Sequence, residues 1–190
     1  ISEIELELVT GSVEQLFILA QQLFSTLLLR PGVRSKAARG YQLWHNNALA
    51  DSPVNLQIEV TASTLPDYFH DGIEHCLQQL HSAVEQYIEQ PSYPRLVPLV
   101  DTLVMLRHGF WLVDLFLDEK GRKIREELSH FIQLFAWLDN AVYLKELTNK
   151  TGNYRKKLEL SEQLIEQLRI EKQRFPDHLH VSELIHSERF

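Results

Sequence analysis

The chain has one cysteine, Cys76, in 190 residues, so no disulfide can form within it. Nor does any stretch approach the roughly 20 consecutive apolar residues of a membrane-spanning helix. Basic residues are short of acidic ones, 19 Lys and Arg against 26 Asp and Glu, for a formal net charge of -7. A surface of that sign does not attract nucleic acid along its length. Without disulfides or a spanning segment, a reducing cytoplasm is the simplest compartment. What is present is ordinary. Apolar residues make up 44% and charged residues 24%, which excludes disordered and fibrous classes and points to a core-forming chain. The length suits one domain, or one domain with part of another.

The charge is unevenly spread. Residues 1–50 hold four basic and four acidic groups, and residues 51–190 hold fifteen basic against twenty-two acidic, so the second part carries the whole imbalance. The opening stretch Ile1-Ser2-Glu3-Ile4-Glu5-Leu6-Glu7-Leu8-Val9 alternates carboxylates with aliphatics. Such alternation predicts a strand with Glu3, Glu5 and Glu7 on one face and Ile4, Leu6 and Leu8 on the other. A face of three like charges needs open water, basic partners or a divalent cation. The solvated edge and the ligand face stand about even on the alternation alone. The chain starts at Ile1 in mid-pattern with no signal peptide ahead of it, which reads as a piece of a longer protein. If the strand belongs to a sheet, its partners lie elsewhere.

After Thr10-Gly11, Ser12 and Gln15 have the spacing of a capping box. Val13, Leu16, Phe17, Ala20, Leu23, Phe24 and Leu27 recur at helical spacing up to Pro31-Gly32. Then comes Arg34-Ser35-Lys36-Ala37-Ala38-Arg39-Gly40-Tyr41, the dense basic cluster of this part; by itself it reads as a charged surface turn. In combination, Glu-Ile-Glu-Leu-Glu-Leu, an amphipathic helix and Ser-Lys-Ala-Ala-Arg-Gly-Tyr strongly resemble the C-terminal end of the CYTH family, the triphosphate tunnel metalloenzymes. The resemblance covers residues 1–44.

That resemblance implies a closed eight-stranded β-tunnel whose interior binds Mg2+ or Mn2+ through carboxylates and a triphosphate through basic side chains. Glu5 and Glu7 match the metal-binding Glu-x-Glu of a late strand, and Glu3 looks like an additional inward carboxylate. Lys36 matches the Lys of the Ser-Lys motif, and Arg39 joins it as a phosphate-binding candidate. A metal and basic groups of this kind lower the charge that opposes attack on a phosphoryl group. The family's first-strand Glu-x-Glu-x-Lys is absent: Val9 stands where the Lys would follow Glu7. No catalytic residue is therefore assigned within this chain, and the polypeptide by itself is expected to hydrolyse nothing. The tunnel walls that choose between tripolyphosphate, thiamine triphosphate and a nucleotide are not in it.

Residues 45–64 read as a linker. From there four helical segments are expected, over 66–89, 95–118, 120–150 and 153–174, with a short turn over 178–186. Their apolar stripes run through Phe69, Ile73, Cys76, Leu80, Ala83 and Tyr87; Leu99, Leu103, Leu106, Phe110, Val113 and Leu117; Ile124, Leu128, Phe131, Phe135, Leu138 and Val142; and Tyr154, Leu158, Ser161, Ile165 and Leu168. Similar lengths and short connections point to an antiparallel four-helix bundle. The expected class is thus mainly α, a bundle over 65–190 preceded by a strand-helix remnant of an α+β tunnel domain over 1–44. Cys76 reads as core.

None of the nine histidines has zinc-site spacing. A helical domain directly after a CYTH domain resembles the CHAD family, which is helical and binds polyphosphate through a His-x2-Arg-Val-x3-Arg-Arg pattern. Laid on this chain, the pattern leaves only Arg107 and His108 at its Arg-Arg end as polyphosphate candidates, with its His and first Arg unmatched. A family Asp in the next helix would fall on Asp139. The chain would hold the first of two such bundles.

Three function classes follow. The chain is part of a metal-dependent inorganic triphosphatase with the bundle as accessory domain; or the bundle binds polyphosphate through Arg107 and His108, helped by Lys120, Arg122, Lys123 and Arg125; or it is a structural or partner-binding bundle. The expected partner is inorganic triphosphate or polyphosphate, with no nucleic acid and no membrane. The orphan strand with its apolar Ile4, Leu6 and Leu8 face would also pair with a second copy.

Overall fold

Thr64 stands in extended conformation, accepts the Asp67 N–H through its side chain and precedes a proline at the start of the helix, so the chain turns helical there without leaving the first donors unpaired. The computed structural model describes residues 3–27, 29, 31–32, 36–44, 64–148, 161–187 and 190. In chain order these form α1 (Val13–Thr26), α2 (Lys36–Trp44), α3 (Leu65–Glu89), α4 (Tyr93–Leu112), a short 3-10 helix (Asp114–Phe116), α5 (Glu119–Leu134), α6 (Leu138–Thr148), α7 (Ser161–Lys172) and α8 (His178–Ile185). The protein is mainly helical. Among the described residues no helix is long and apolar enough to cross a membrane.

The core sits where α3 packs on α4, α4 on α5 and α6, and α6 on α7. Ala83 and Tyr87 of α3, Leu96, Leu99 and Leu103 of α4, Phe131 of α5 and Leu138 of α6 meet there, closed off by Val181 and Ile185 of α8. Leu96 and Leu99 are wholly buried, a contribution of roughly 1.5–3 kcal/mol each relative to an exposed side chain. The connections join this core through aromatic contacts. Tyr93 meets Trp137 edge-on at 5.4 Å, Trp137 stacks on Phe175 at 6.0 Å, and Phe190 meets Phe131 edge-on at 5.0 Å.

The stripes of the first two expected helices hold: Cys76, Ala83, Tyr87, Leu99, Leu103, Leu106 and Val113 are all buried. Four expectations need correction. The alternating opening does not form a strand: residues 3–8 have no regular structure, and among the described residues there is no strand, because alternation defines two faces but only a neighbouring strand can satisfy the backbone. The basic cluster is not a turn, since Lys36 onward is α2. The third helix is two, broken by a three-residue turn at residues 135–137 between α5 and α6. The turn expected over 178–186 is α8, whose first turn is capped by Asp177 accepting the His180 N–H at 2.9 Å. Ser12 does precede α1, but its side chain makes no capping bond. The linker expected over 45–64 lies outside the described residues except for Thr64. Of the fourth stripe, Tyr154 and Leu158 also lie outside, while Ile165 is buried.

Candidate functional site

Two regions carry the chemistry. In the first, the Lys36 Nζ is 2.9 Å from a Glu5 carboxylate oxygen, with the two side chains 66% and 64% exposed. The carboxylate segment and the start of α2 are thus side by side, although α1 separates them in sequence. Glu3 and Glu7 are exposed too, and Arg39 follows three residues after Lys36 on α2. Among the described residues, no group of three or more His, Cys, Asp or Glu side chains is arranged to hold a metal ion. Glu3, Glu5 and Glu7 as they stand do not fit Mg2+ or Mn2+, which needs several oxygens converging on one point.

The second region is a groove of about 530 Å³ between α4, α5 and α6. Val97, Val100 and Val104 give it an apolar wall on α4, with Ile132 opposite on α5. Asp101 of α4 and Asp139 of α6 bring two carboxylates to it, and Arg107 a guanidinium. Partial burial raises the Asp101 pKa above the ordinary carboxylate value of 3.8, and the Asp139 charge raises it further. Burial penalises the charged form and a like charge adds to the penalty.

Arg107 and Asp139, expected from the second resemblance, therefore line one groove. His108 is exposed, 3.4 Å from the Arg107 guanidinium. The further basic candidates are partly committed to carboxylates. Arg125 bonds Asp114, and the Lys123 Nζ is 3.1 Å from Glu119. Cys76 is 3% exposed and burial pushes its thiol pKa up, which keeps it protonated and inert at neutral pH.

The sequence reading did not single out Asp101, although it had a signal. From Leu96 to Leu106 it is the lone charged residue in an eleven-residue run. A helix that is apolar nearly all round is enclosed by its neighbours, so a carboxylate within it must border a groove. Comparison with protein-family models, with curated proteins and with solved structures returns no match.

Proposed function

We propose that residues 1–44 supply one wall of a CYTH-type metal-dependent inorganic triphosphatase, and that residues 65–190 are its accessory domain, a CHAD-like four-helix bundle. The Glu5–Lys36 pair at 2.9 Å carries this reading. A carboxylate for a metal and a lysine for a phosphate oxygen have to be neighbours in such a site, and without either ligand they neutralise each other. The exposed apolar side chains of α1, among them Val13, Phe17 and Phe24, also support it, because a face of that kind is built to be covered. In the proposed tunnel Glu5 and Glu7, with Glu3, would hold Mg2+ or Mn2+, and Lys36 and Arg39 would meet the triphosphate. The metal would supply charge neutralisation on the phosphate oxygens. Because the family's Glu-x-Glu-x-Lys strand is absent from residues 1–190, this polypeptide by itself is expected to hydrolyse nothing. The enzyme acts on inorganic triphosphate in the cytoplasm.

The test is tripolyphosphate hydrolysis with Mg2+ by the protein carrying all its tunnel strands, beside residues 1–190 alone. Turnover by the first, lost in Glu5→Gln, and none by the second is expected. An upstream reading frame without a Glu-x-Glu-x-Lys strand overturns the proposal, as does robust turnover by residues 1–190. A second reading, polyphosphate binding by the bundle, has in its favour that Arg107 lines the groove. Two carboxylates in the same groove oppose it. Titration with long-chain polyphosphate at low salt decides: binding lost in Arg107→Ala/His108→Ala supports that reading, and no binding removes it.

A further inference from the structure

The groove between α4, α5 and α6 has a charge pattern that neither the tunnel nor a polyanion uses. Asp101 and Asp139 both line this groove, and partial burial, then the Asp139 charge, raise the Asp101 pKa. Neither makes an ion pair or hydrogen bond with another described side chain. Two like charges beside an apolar wall, neither of them in an ion pair, leave room for a cation. One cation placed between them would remove both the repulsion and part of the desolvation cost.

Arg107 lies six residues further along α4, about 9 Å at the helical rise. Its side chain has one long contact, 3.4 Å to the neighbouring His108 ring, which leaves most of its donors for an anion. Between Asp101 and Arg107 on α4 lies Val104, with Ile132 of α5 lining the same groove. The order along the groove is thus carboxylates, aliphatic wall, guanidinium.

We propose that this groove is a binding site for a small aliphatic zwitterion, an ω-amino acid whose ammonium sits between Asp101 and Asp139 and whose carboxylate reaches Arg107. The methylene chain lies along Val104 and Ile132, where its burial adds to the binding. The Arg107 fork suits a carboxylate, which it can hold through two parallel hydrogen bonds. Polyphosphate fits the opposite pattern, since its charges would fall against Asp101 and Asp139. The inference is independent of the triphosphatase reading and stands or falls without it.

The probe is 6-aminohexanoate, titrated calorimetrically into the full 190-residue chain, with hexylamine and hexanoate as half-ligands. Saturable binding of 6-aminohexanoate, weaker binding of hexylamine and none of hexanoate is expected. Asp101→Asn/Asp139→Asn should weaken 6-aminohexanoate at least about tenfold. Arg107→Gln should weaken 6-aminohexanoate and leave hexylamine unchanged. Both aspartates are exposed, so the variants keep the fold, and a thermal melt within a few degrees of the parent verifies it. No saturation by about 10 mM 6-aminohexanoate, undiminished binding in the double variant, or hexanoate binding as tightly overturns the proposal. Hexylamine binding as tightly as 6-aminohexanoate overturns the zwitterion assignment.

Discussion

The Tyr87 phenol and the His178 Nδ1, 91 positions apart, are joined by a 3.2 Å hydrogen bond. Tyr87 is 1% exposed, so this bond gives a buried hydroxyl its partner and fixes the start of α8 against the end of α3. Tyr93 adds a ring contact to His178 at 5.0 Å and donates to the Pro176 carbonyl at 3.1 Å.

Tyr87→Phe removes the bond and leaves the ring volume, so it should cost about 1 kcal/mol, a fall of roughly 2–4 °C in Tm. Tyr87→Ala also empties the site and should cost about 3–5 kcal/mol. Burial pushes the Tyr87 phenol up from 10.0 to about 12, helped by Tyr93 and Asp177. A group whose folded pKa is raised holds its proton longer folded than unfolded, so its stabilisation is complete below the unfolded value and is lost between pH 10 and about 12. Phenolate absorbance should show late-titrating tyrosine, since burial raises Tyr93 as well as Tyr87, and Tyr87→Phe should remove part of that late step.

Asp101 carries a penalty at neutral pH. Its raised folded pKa means that the group favours the fold while protonated and that this contribution disappears as pH rises through the folded value. Asp101→Asn should therefore raise Tm at pH 7 by roughly 1–3 °C, with the gain vanishing near pH 3 where the parent carboxyl is protonated. Thermal melts across that range check it. A gain that is the same at both pH values contradicts the carboxylate repulsion.

The Glu5–Lys36 pair is too exposed to matter much for stability. A double-mutant cycle on Glu5→Gln and Lys36→Gln should give a coupling below about 1 kcal/mol. On the triphosphatase proposal, the same substitutions in the protein with all its tunnel strands should each lower tripolyphosphate turnover by about a hundredfold or more. Loss of activity with little loss of stability is the mark of a site pair.

Asp118 caps α5 by accepting the Gly121 N–H at 2.8 Å. Asp118→Ala should cost about 1 kcal/mol in urea unfolding, while Asp118→Asn or Asp118→Ser should restore most of it. Gly121 is buried under the same turn, and a Cβ there would lie 2.9 Å from Leu117 Cδ2. Gly121→Ala should then displace the Leu117 side chain, with a smaller loss of stability.

The helical stripes were legible because burial repeats with the helix: Cys76, Ala83 and Tyr87 on α3 and Leu99, Leu103 and Leu106 on α4 all lie where the three-and-four spacing puts them. The break between α5 and α6 was not. Phe131, Phe135, Leu138 and Val142 keep the same spacing across it, and no Gly or Pro marks the turn, so periodicity alone cannot see it. The opening alternation predicted two faces but could not say whether a neighbouring strand exists, and without one residues 3–8 take no regular structure. Arg107 and Asp139 were named for one ligand chemistry, and Asp101, which changes the charge of their groove, was overlooked because an isolated carboxylate carries no motif. The Glu5–Lys36 pairing depends on the path of α1, which no local pattern specifies.

α1 has fourteen residues and none of them is buried. A helix of that length is marginal in water by itself, so its amides exchange with deuterium at a rate set by local fraying, whereas those around Leu96 and Leu99 wait for global opening. This difference makes α1 a clock for assembly. Any surface that covers Val13, Phe17 and Phe24 will slow exchange in α1 while leaving the interior amides at their former pace, so one labelling experiment separates a variant that has lost its docking partner from one that has lost its fold.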